Sequence, residues 1–107
     1  MLTRSYTAAI EGVEAYIVTV EAEVGLGLPG LTLVGRVSGA LNEARQRVRA
    51  ALGHCGHELS PRKQLVNLAP ADRRKDSSGT DLAIACALLA SHEIIPADEL
   101  KSTVFWG

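Results

Sequence analysis

The stretch KDSSGTDLAIACALLAS, residues 75–91, decides how the rest of the chain has to fold. It begins with charged and small polar residues, and it continues from Leu82 to Ala90 without a charged side chain. Such a run has no polar face to turn towards water, so it predicts a helix that is buried nearly all round. Its many alanines favour close packing against a sheet. We therefore predict a central helix at about residues 80–92.

The segments around this helix supply the predicted sheet and a second helix. In AYIVTVEAEV, residues 15–24, apolar and more polar side chains alternate, which is typical of a half-buried strand. Residues 38–52 change to a spacing of three and four, which predicts an amphipathic helix stopped by Gly53 and Gly56. The predicted strands lie at about residues 4–10, 15–24, 31–37 and 64–70, and a further strand begins within residues 102–107. The order β-β-β-α-β-α-β predicts the α+β class, with a mixed sheet packed against two helices.

The composition limits the classes of protein to which the chain can belong. Its 107 residues are 47% apolar and 21% charged, which fits one small globular domain. The formal net charge of −1 provides no bulk attraction to nucleic acid or to acidic membranes. The two cysteines give no disulfide framework, and the N-terminus lacks the apolar core of a signal peptide. We expect a cytoplasmic protein that makes no contact with a membrane.

The polar start of the central helix could act as a helix cap, as a catalytic site or as an anion-binding site. The first two roles depend on a serine. Ser78 and Asp81 have the spacing of a capping box, in which each side chain bonds the other residue's backbone N–H. A serine nucleophile would instead need a base, and the nearby Lys75 lies among charged residues that keep it solvated and protonated. We predict that Ser78 and Asp81 form a structural helix cap and that the segment holds no catalytic residue.

Anion binding is the third role. Arg73, Arg74 and Lys75 precede a helix N-terminus, where backbone N–H groups and the helix dipole favour a phosphate or a carboxylate. Arg45 and Arg49 lie one turn apart on the first helix, and they would extend this basic patch if the two helices are neighbours. We predict that these five cations contact nucleic acid or a neighbouring subunit. An ordinary solvated loop and helix face is the alternative.

Two further motifs have simpler explanations than ligand binding. GLGLPG, residues 25–30, matches the dinucleotide pattern G-x-G-x-x-G, but a predicted strand follows it where the pattern requires a helix. A β-turn is therefore the better interpretation. HCGH, residues 54–57, has no spaced partner that would complete a zinc site, and histidines at a helix C-terminus are favoured by the dipole alone. We predict no metal site.

Three segments carry a family resemblance that covers essentially the whole chain. They are GLPGLTLVG (27–35), NEARQRVRAAL (42–52) and VNLAPADRRKDSSGTDLAIACALLA (66–90). Together they resemble the N-terminal, ChlI-like domain of magnesium-chelatase-like AAA+ ATPases of the ComM/YifB type. The resemblance implies a ribosomal protein S5 domain 2-like fold, with residues 1–107 as one domain at the start of a longer protein.

The same resemblance implies a function for the whole protein. Family members are ring-forming ATPases linked to DNA branch migration in natural transformation, and ATP and Mg bind to a P-loop module that follows this domain. No G-x-x-x-x-G-K-[ST] sequence occurs here, so that module is absent from the chain. The resemblance thus implies a non-catalytic domain with a regulatory, assembly or nucleic-acid-guiding role. Its partners would be its own AAA+ module, neighbouring subunits and DNA.

A more distant resemblance to the Lon peptidase domain supplies the alternative of a degenerate serine–lysine peptidase. Its catalytic serine lies in a P-K-D-G-P-S-A-G segment at a matching helix start. Alignment of RKDSSGTD, residues 74–81, places Lys75 and Asp76 on the K-D pair and Gly79 on the nucleophile. The missing serine argues against peptidase activity. A stand-alone nucleic-acid-binding module is a third possibility.

Overall fold

Four strands and two helices make up the part of the chain that the computed structural model describes, which is residues 2–35, 39, 43–57, 62–70 and 78–107. In chain order they are β1 (Leu2–Glu11), β2 (Glu14–Gly25), β3 (Gly30–Val34), α1 (Ala44–His54), β4 (Lys63–Ala69) and α2 (Asp81–Ser91). Short 3-10 helices lie at Ser78–Thr80 and Ala97–Leu100. The predicted α+β class, with two helices on a mixed sheet, is confirmed.

The strands form one sheet in the order β1-β2-β4-β3. β1 and β2 pair as an antiparallel hairpin, and β2 pairs with β4 in the same antiparallel sense. β3 and β4 are parallel because α1 crosses from the end of one to the start of the other. GLGLPG joins β2 to β3, so a strand follows it and the dinucleotide interpretation is excluded.

Both helices pack on one face of the sheet. On β2, Val18, Val20 and Ala22 point to this face and are fully buried, as the alternation of AYIVTVEAEV predicted. α2 contacts β1 and β2, whereas α1 contacts β3 and α2. Ile84 and Leu88 of α2 are among the largest fully buried side chains, which places the predicted central helix in the core.

Polar side chains of β1 also face the helices. Thr3, Ser5 and Thr7 are buried, and their hydroxyl groups donate hydrogen bonds to carbonyl oxygens of Ala87 (2.7 Å), Ala83 (2.6 Å) and Gly79 (3.2 Å). The spacing matches because two strand residues and four helix residues both cover about 6–7 Å. The three bonds satisfy hydroxyl groups that would otherwise be costly to bury, and they fix the position of α2 along β1.

The other face of the sheet carries no described helix or strand, and we call it the open face. Its side chains come from alternate residues of the four strands, including Leu2 and Arg4 of β1, Ile17 and Glu21 of β2, and Leu65 of β4. Arg4 Nε donates to Glu21 Oε2 at 2.8 Å across the hairpin. A solvated antiparallel face is normally polar, so the apolar side chains here are unusual.

The predicted last strand is reduced to a single bridge. Val104 pairs in parallel with Tyr6 at the outer edge of β1, and the Phe105 N–H donates to the Tyr6 carbonyl at 2.8 Å. Beyond this point the chain leaves the edge, because Gly107 bonds to Gly79 at the start of α2. We call residues 103–107 the strap, since they run from β1 to α2.

Candidate functional site

The site to which the sequence points is the start of α2, where the 3-10 turn Ser78–Thr80 leads into the helix at Asp81. Gly79 in this turn is buried. Its carbonyl oxygen accepts hydrogen bonds from the Thr7 hydroxyl and from the Gly107 N–H, each at 3.2 Å. The main chain of Gly79 is therefore held between β1 and the strap.

The strap also covers Gly79 from outside. A Cβ atom built on Gly79 would overlap the indole ring of Trp106, so this position accepts no side chain while the strap is in place. The Leu82 N–H donates to the Gly107 carbonyl at 3.0 Å. One of the free N–H groups that an anion would need at this helix N-terminus is thus bonded by the chain itself.

Asp81 connects the two helices. Its carboxylate accepts two hydrogen bonds from Arg47 of α1, from Nε at 2.6 Å and from Nη2 at 3.0 Å. The hydrogen bond to Asp81 is the main cause that raises the pKa of Arg47, and the negative charges of Asp81 and Glu43 act in the same direction. The pair is partly exposed, with 44% and 24% of the two side chains accessible.

This ion pair gives Asp81 a partner that the capping prediction did not include. Thr80 occupies the N-cap position of α2, one residue before Asp81. A guanidinium group is a stronger partner for a carboxylate than a backbone N–H is, and its planar fork bonds both oxygens at once. The side chain of Ser78 lies outside the described residues, so its half of the predicted cap stays a prediction.

The five predicted cations divide into two groups. Arg73, Arg74 and Lys75 lie outside the described residues. Arg45 and Arg49 are exposed on α1, and neither forms an ion pair with a residue that the structure describes. The Arg47–Asp81 pair does make α1 and α2 neighbours at this end, which is the arrangement that a shared basic patch requires. Their contact with nucleic acid or with a subunit stays a prediction.

HCGH ends α1, and all of its residues are exposed. Among the described residues, no group of three histidine, cysteine, aspartate or glutamate side chains is arranged to hold a metal ion. Within the same residues, no helix is long and apolar enough to cross a membrane.

Sequence reasoning missed the strap and the hydroxyl groups of β1. STVFWG indicated only the start of a strand, although its aromatic residues were a signal for packing. Phe105 packs against the core, and Trp106 covers Gly79 while staying 53% exposed. In β1, the alternation Thr3–Ser5–Thr7 was available in the sequence, but nothing local shows that hydroxyl groups point inward.

Comparison with known proteins identifies the family. The model of the family "Subunit ChlI of Mg-chelatase" matches residues 20–107. YifB of Escherichia coli, described as uncharacterized, is 46% identical over 95 residues, which are 89% of this chain and 19% of YifB. An uncharacterized protein of Mycobacterium tuberculosis is 38% identical over 106 residues, 99% of this chain and 21% of that protein.

A third relative has a name that refers to competence. Competence protein ComM of Haemophilus influenzae is 40% identical over 100 residues, which are 94% of this chain and 20% of ComM. The chain thus spans about a fifth of the length of the curated relatives it matches. Because the family model covers most of the chain, the chain belongs to the family of subunit ChlI of Mg-chelatase, as a ChlI-like domain of the ComM/YifB type.

Proposed function

We propose that this chain is a non-catalytic assembly domain at the N-terminus of a magnesium-chelatase-like AAA+ ATPase, with a ribosomal protein S5 domain 2-like fold. The sequence contains no P-loop, so the residues present do not fit a nucleotide, and ATP and Mg belong to another module of the parent. The parent is a ring-forming ATPase that acts on DNA. This domain then contributes contacts to its own AAA+ module, to neighbouring subunits or to DNA.

The observation that carries the non-catalytic role is the burial of Gly79. In the Lon-like alignment this residue takes the position of the nucleophile, and it has no side chain to attack a substrate. Trp106 and Gly107 cover the position from outside, so a substrate carbonyl cannot approach it from the side of the strap. A nucleophile needs a reactive side chain that a substrate can reach, and the buried Gly79 has none.

Hydrolysis of unstructured casein tests this role. We expect no cleavage by the chain, with or without ATP, because the 3-10 turn that leads into α2 holds a glycine at the required position. The matched comparison uses Ser77→Ala and Ser78→Ala, which remove the two serines closest to that position. Casein cleavage that disappears in either variant would show that a serine acts as nucleophile and would favour the peptidase alternative.

The binding role is supported by the charge of α1. Residues 44–57 contain three arginines and two histidines, and no aspartate or glutamate. Asp81 neutralises Arg47, which leaves Arg45 and Arg49 as two exposed cations about one helical turn apart. A phosphate backbone or an acidic face of a neighbouring subunit would complement them. Arg73, Arg74 and Lys75 would extend the same patch.

Substitutions that remove the positive charges of α1 distinguish a contact with DNA from a contact with a neighbouring subunit. Arg45→Gln with Arg49→Gln is compared with Arg62→Gln and Lys101→Gln, a pair of exposed cations elsewhere whose loss changes the net charge equally. For a DNA contact, the first pair should flatten the salt dependence of duplex binding by up to about 0.9 per lost phosphate contact. For a subunit contact, DNA binding should persist and assembly of the parent ring should weaken. If both pairs behave alike in both assays, α1 is only a solvated surface.

A further inference from the structure

The strongly exposed apolar side chains gather on one side of the molecule. Among the described residues, eleven large apolar side chains are strongly exposed. Six of them lie on the open face or in the loop between β2 and β3 that borders it, namely Leu2, Ile10, Ile17, Leu26, Leu28 and Val34. The face carrying α1 instead presents arginine, glutamine and histidine. A concentration of apolar surface of this kind marks an interaction site.

Two leucines are the most exposed of these six side chains. Leu26 and Leu28 are 94% and 89% exposed in the loop between β2 and β3. Gly27 lies so close to β4 that a Cβ atom on it would be 3.0 Å from Lys63 Cδ. Gly27 also has a φ of +144°, which favours glycine, and Pro29 restricts the loop further. The loop therefore presents Leu26 and Leu28 as a fixed leucine knob.

A hollow lies on the open face beside the leucine knob. It has a volume of about 300 Å³ and is lined by Leu2, Glu21, Glu23, Val34, Leu65 and Asn67. A smaller hollow of about 200 Å³ shares Glu23 and Leu65 with it and has Leu26 in its wall. Since a cavity of about 150 Å³ can hold a benzene ring, the larger one has room for a leucine side chain. We call the larger one the leucine hollow.

We propose that the leucine knob of one copy of this chain inserts into the leucine hollow of a second copy, and reciprocally. A contact across a two-fold axis requires that one patch carries both complementary shapes. Here the knob and the hollow adjoin through Leu26 and Leu65, so a single axis between them satisfies both insertions at once. A different protein would need to match both shapes separately.

The charges of this region favour a second copy over nucleic acid. The strand residues of the open face carry two cations, Arg4 and Lys63, and two anions, Glu21 and Glu23. Arg4 and Glu21 already pair within each copy at 2.8 Å. Two neutral faces do not repel each other, whereas a phosphate backbone needs an excess of positive charge. Because the proposal involves only the leucine knob and the leucine hollow, we expect a weak dimer.

Sedimentation equilibrium over a wide range of protein concentration tests the contact. We expect the 107-residue chain to form a dimer at high concentration. Leu28→Asp removes the knob and Val34→Trp fills the hollow, and each should raise the dimer dissociation constant at least about tenfold. Val13→Asp is the matched control, because Val13 is fully exposed in the hairpin turn, away from both features. It should leave the dissociation constant unchanged.

Mixing the variants tests the reciprocal arrangement. In a pair made of Leu28→Asp and Val34→Trp chains, one intact knob still meets one intact hollow, so the mixture should associate more tightly than either variant alone. Far-UV circular dichroism verifies that each variant is folded, and Leu26→Asp replaces Leu28→Asp if that variant is not. A wild-type chain that stays monomeric at all concentrations overturns the proposal. So does an equal effect of Val13→Asp, or a mixture no tighter than its components.

Discussion

Helices α1 and α2 have the same length, eleven residues, and lie on the same face of the sheet, yet they differ in how much of their surface is buried. α1 buries only Ala44, Val48 and Leu52, and most of its surface is open to solvent. α2 buries six of its residues and contacts β1, β2 and α1. The difference indicates that α2 builds the core, while α1 is free to carry the charges that a partner can recognise.

The two helices nevertheless end in the same backbone motif. In α1, the N–H of His57 bonds to Leu52 O at 2.8 Å, and in α2 the N–H of Ile94 bonds to Leu89 O at 2.9 Å. Both are Schellman motifs, which need a residue with positive φ just beyond the helix. α1 uses Gly56 there, with φ +82°, whereas α2 uses Glu93, with φ +61°. One helix thus ends with a relaxed residue and the other with a strained one.

The largest expected difference between the helices concerns core packing. Leu88→Ala in α2 should lower the free energy of unfolding by about 2–5 kcal/mol, because its fully buried side chain leaves a cavity. Leu52→Ala is the matched change in α1 and should fall at the lower end of that range, since the exposed side of α1 lets the site collapse. Urea denaturation of both variants measures the effect. A larger loss for Leu52→Ala would contradict the assignment of α2 as the core element.

The identity of α2 was predictable because its signal is local. The uninterrupted apolar run placed the helix at about residues 80–92, and the structure has it at Asp81–Ser91. The alternation of AYIVTVEAEV placed a strand at about 15–24, and β2 spans Glu14–Gly25. In both segments the pattern of apolar residues along the chain indicates which side chains are buried. This local pattern is sufficient to predict the type of element and its approximate ends. The predicted family resemblance is also confirmed.

The contacts of the site were not predictable, because they join residues far apart in the chain. Arg47 and Asp81 are 34 residues apart, and Thr3 and Ala87 are 84 residues apart. Asp81 satisfied a local capping rule, but an arginine brought in by the tertiary fold is the partner that it binds. Similarly, the hydroxyl group of Thr3 is buried only because a helix carbonyl lies opposite. No periodic pattern carries this information.

The second prediction concerns the residues with positive φ that follow the two helices, Glu93 after α2 and Gly56 after α1. Glu93→Gly should raise the free energy of unfolding by about 0.5–1 kcal/mol, because the relief of about 1–2 kcal/mol of strain outweighs the greater freedom of glycine in the unfolded chain. Gly56→Ala should lower it by a similar amount for the same reason. Thermal and urea denaturation measure both. Changes of the same sign in the two variants would show that the positive φ values do not determine stability.

The third prediction concerns the ion pair that joins the helices. A double-mutant cycle of Arg47→Ala and Asp81→Ala should give a coupling energy of about 0.3–1 kcal/mol, since the pair has good geometry but is partly exposed. The coupling should fall in 1 M salt because exposed charges are screened. Lys101 and Asp98 form the control pair, with a single contact at 3.2 Å and both side chains largely exposed. Equal coupling energies in the two pairs would mean that the Arg47–Asp81 ion pair stabilises the protein no more than an ordinary surface ion pair does.

The last prediction has the smallest expected effect on the fold. It compares the labelling rates of the two cysteines, of which Cys55 follows α1 and Cys86 lies in α2. Cys55 lies exposed at the end of α1, whereas Cys86 is partly buried in α2, and this burial raises the pKa of its thiol. A raised pKa means less of the reactive thiolate at pH 8, so the labelling of Cys86 should be slow and should accelerate as the pH rises. The Cys86→Ser variant, which keeps Cys55, should therefore react with a disulfide reagent at least about tenfold faster than Cys55→Ser, which keeps Cys86. Equal rates for the two variants would show that α2 opens as readily as α1, and the distinction between a core helix and a surface helix would then fail.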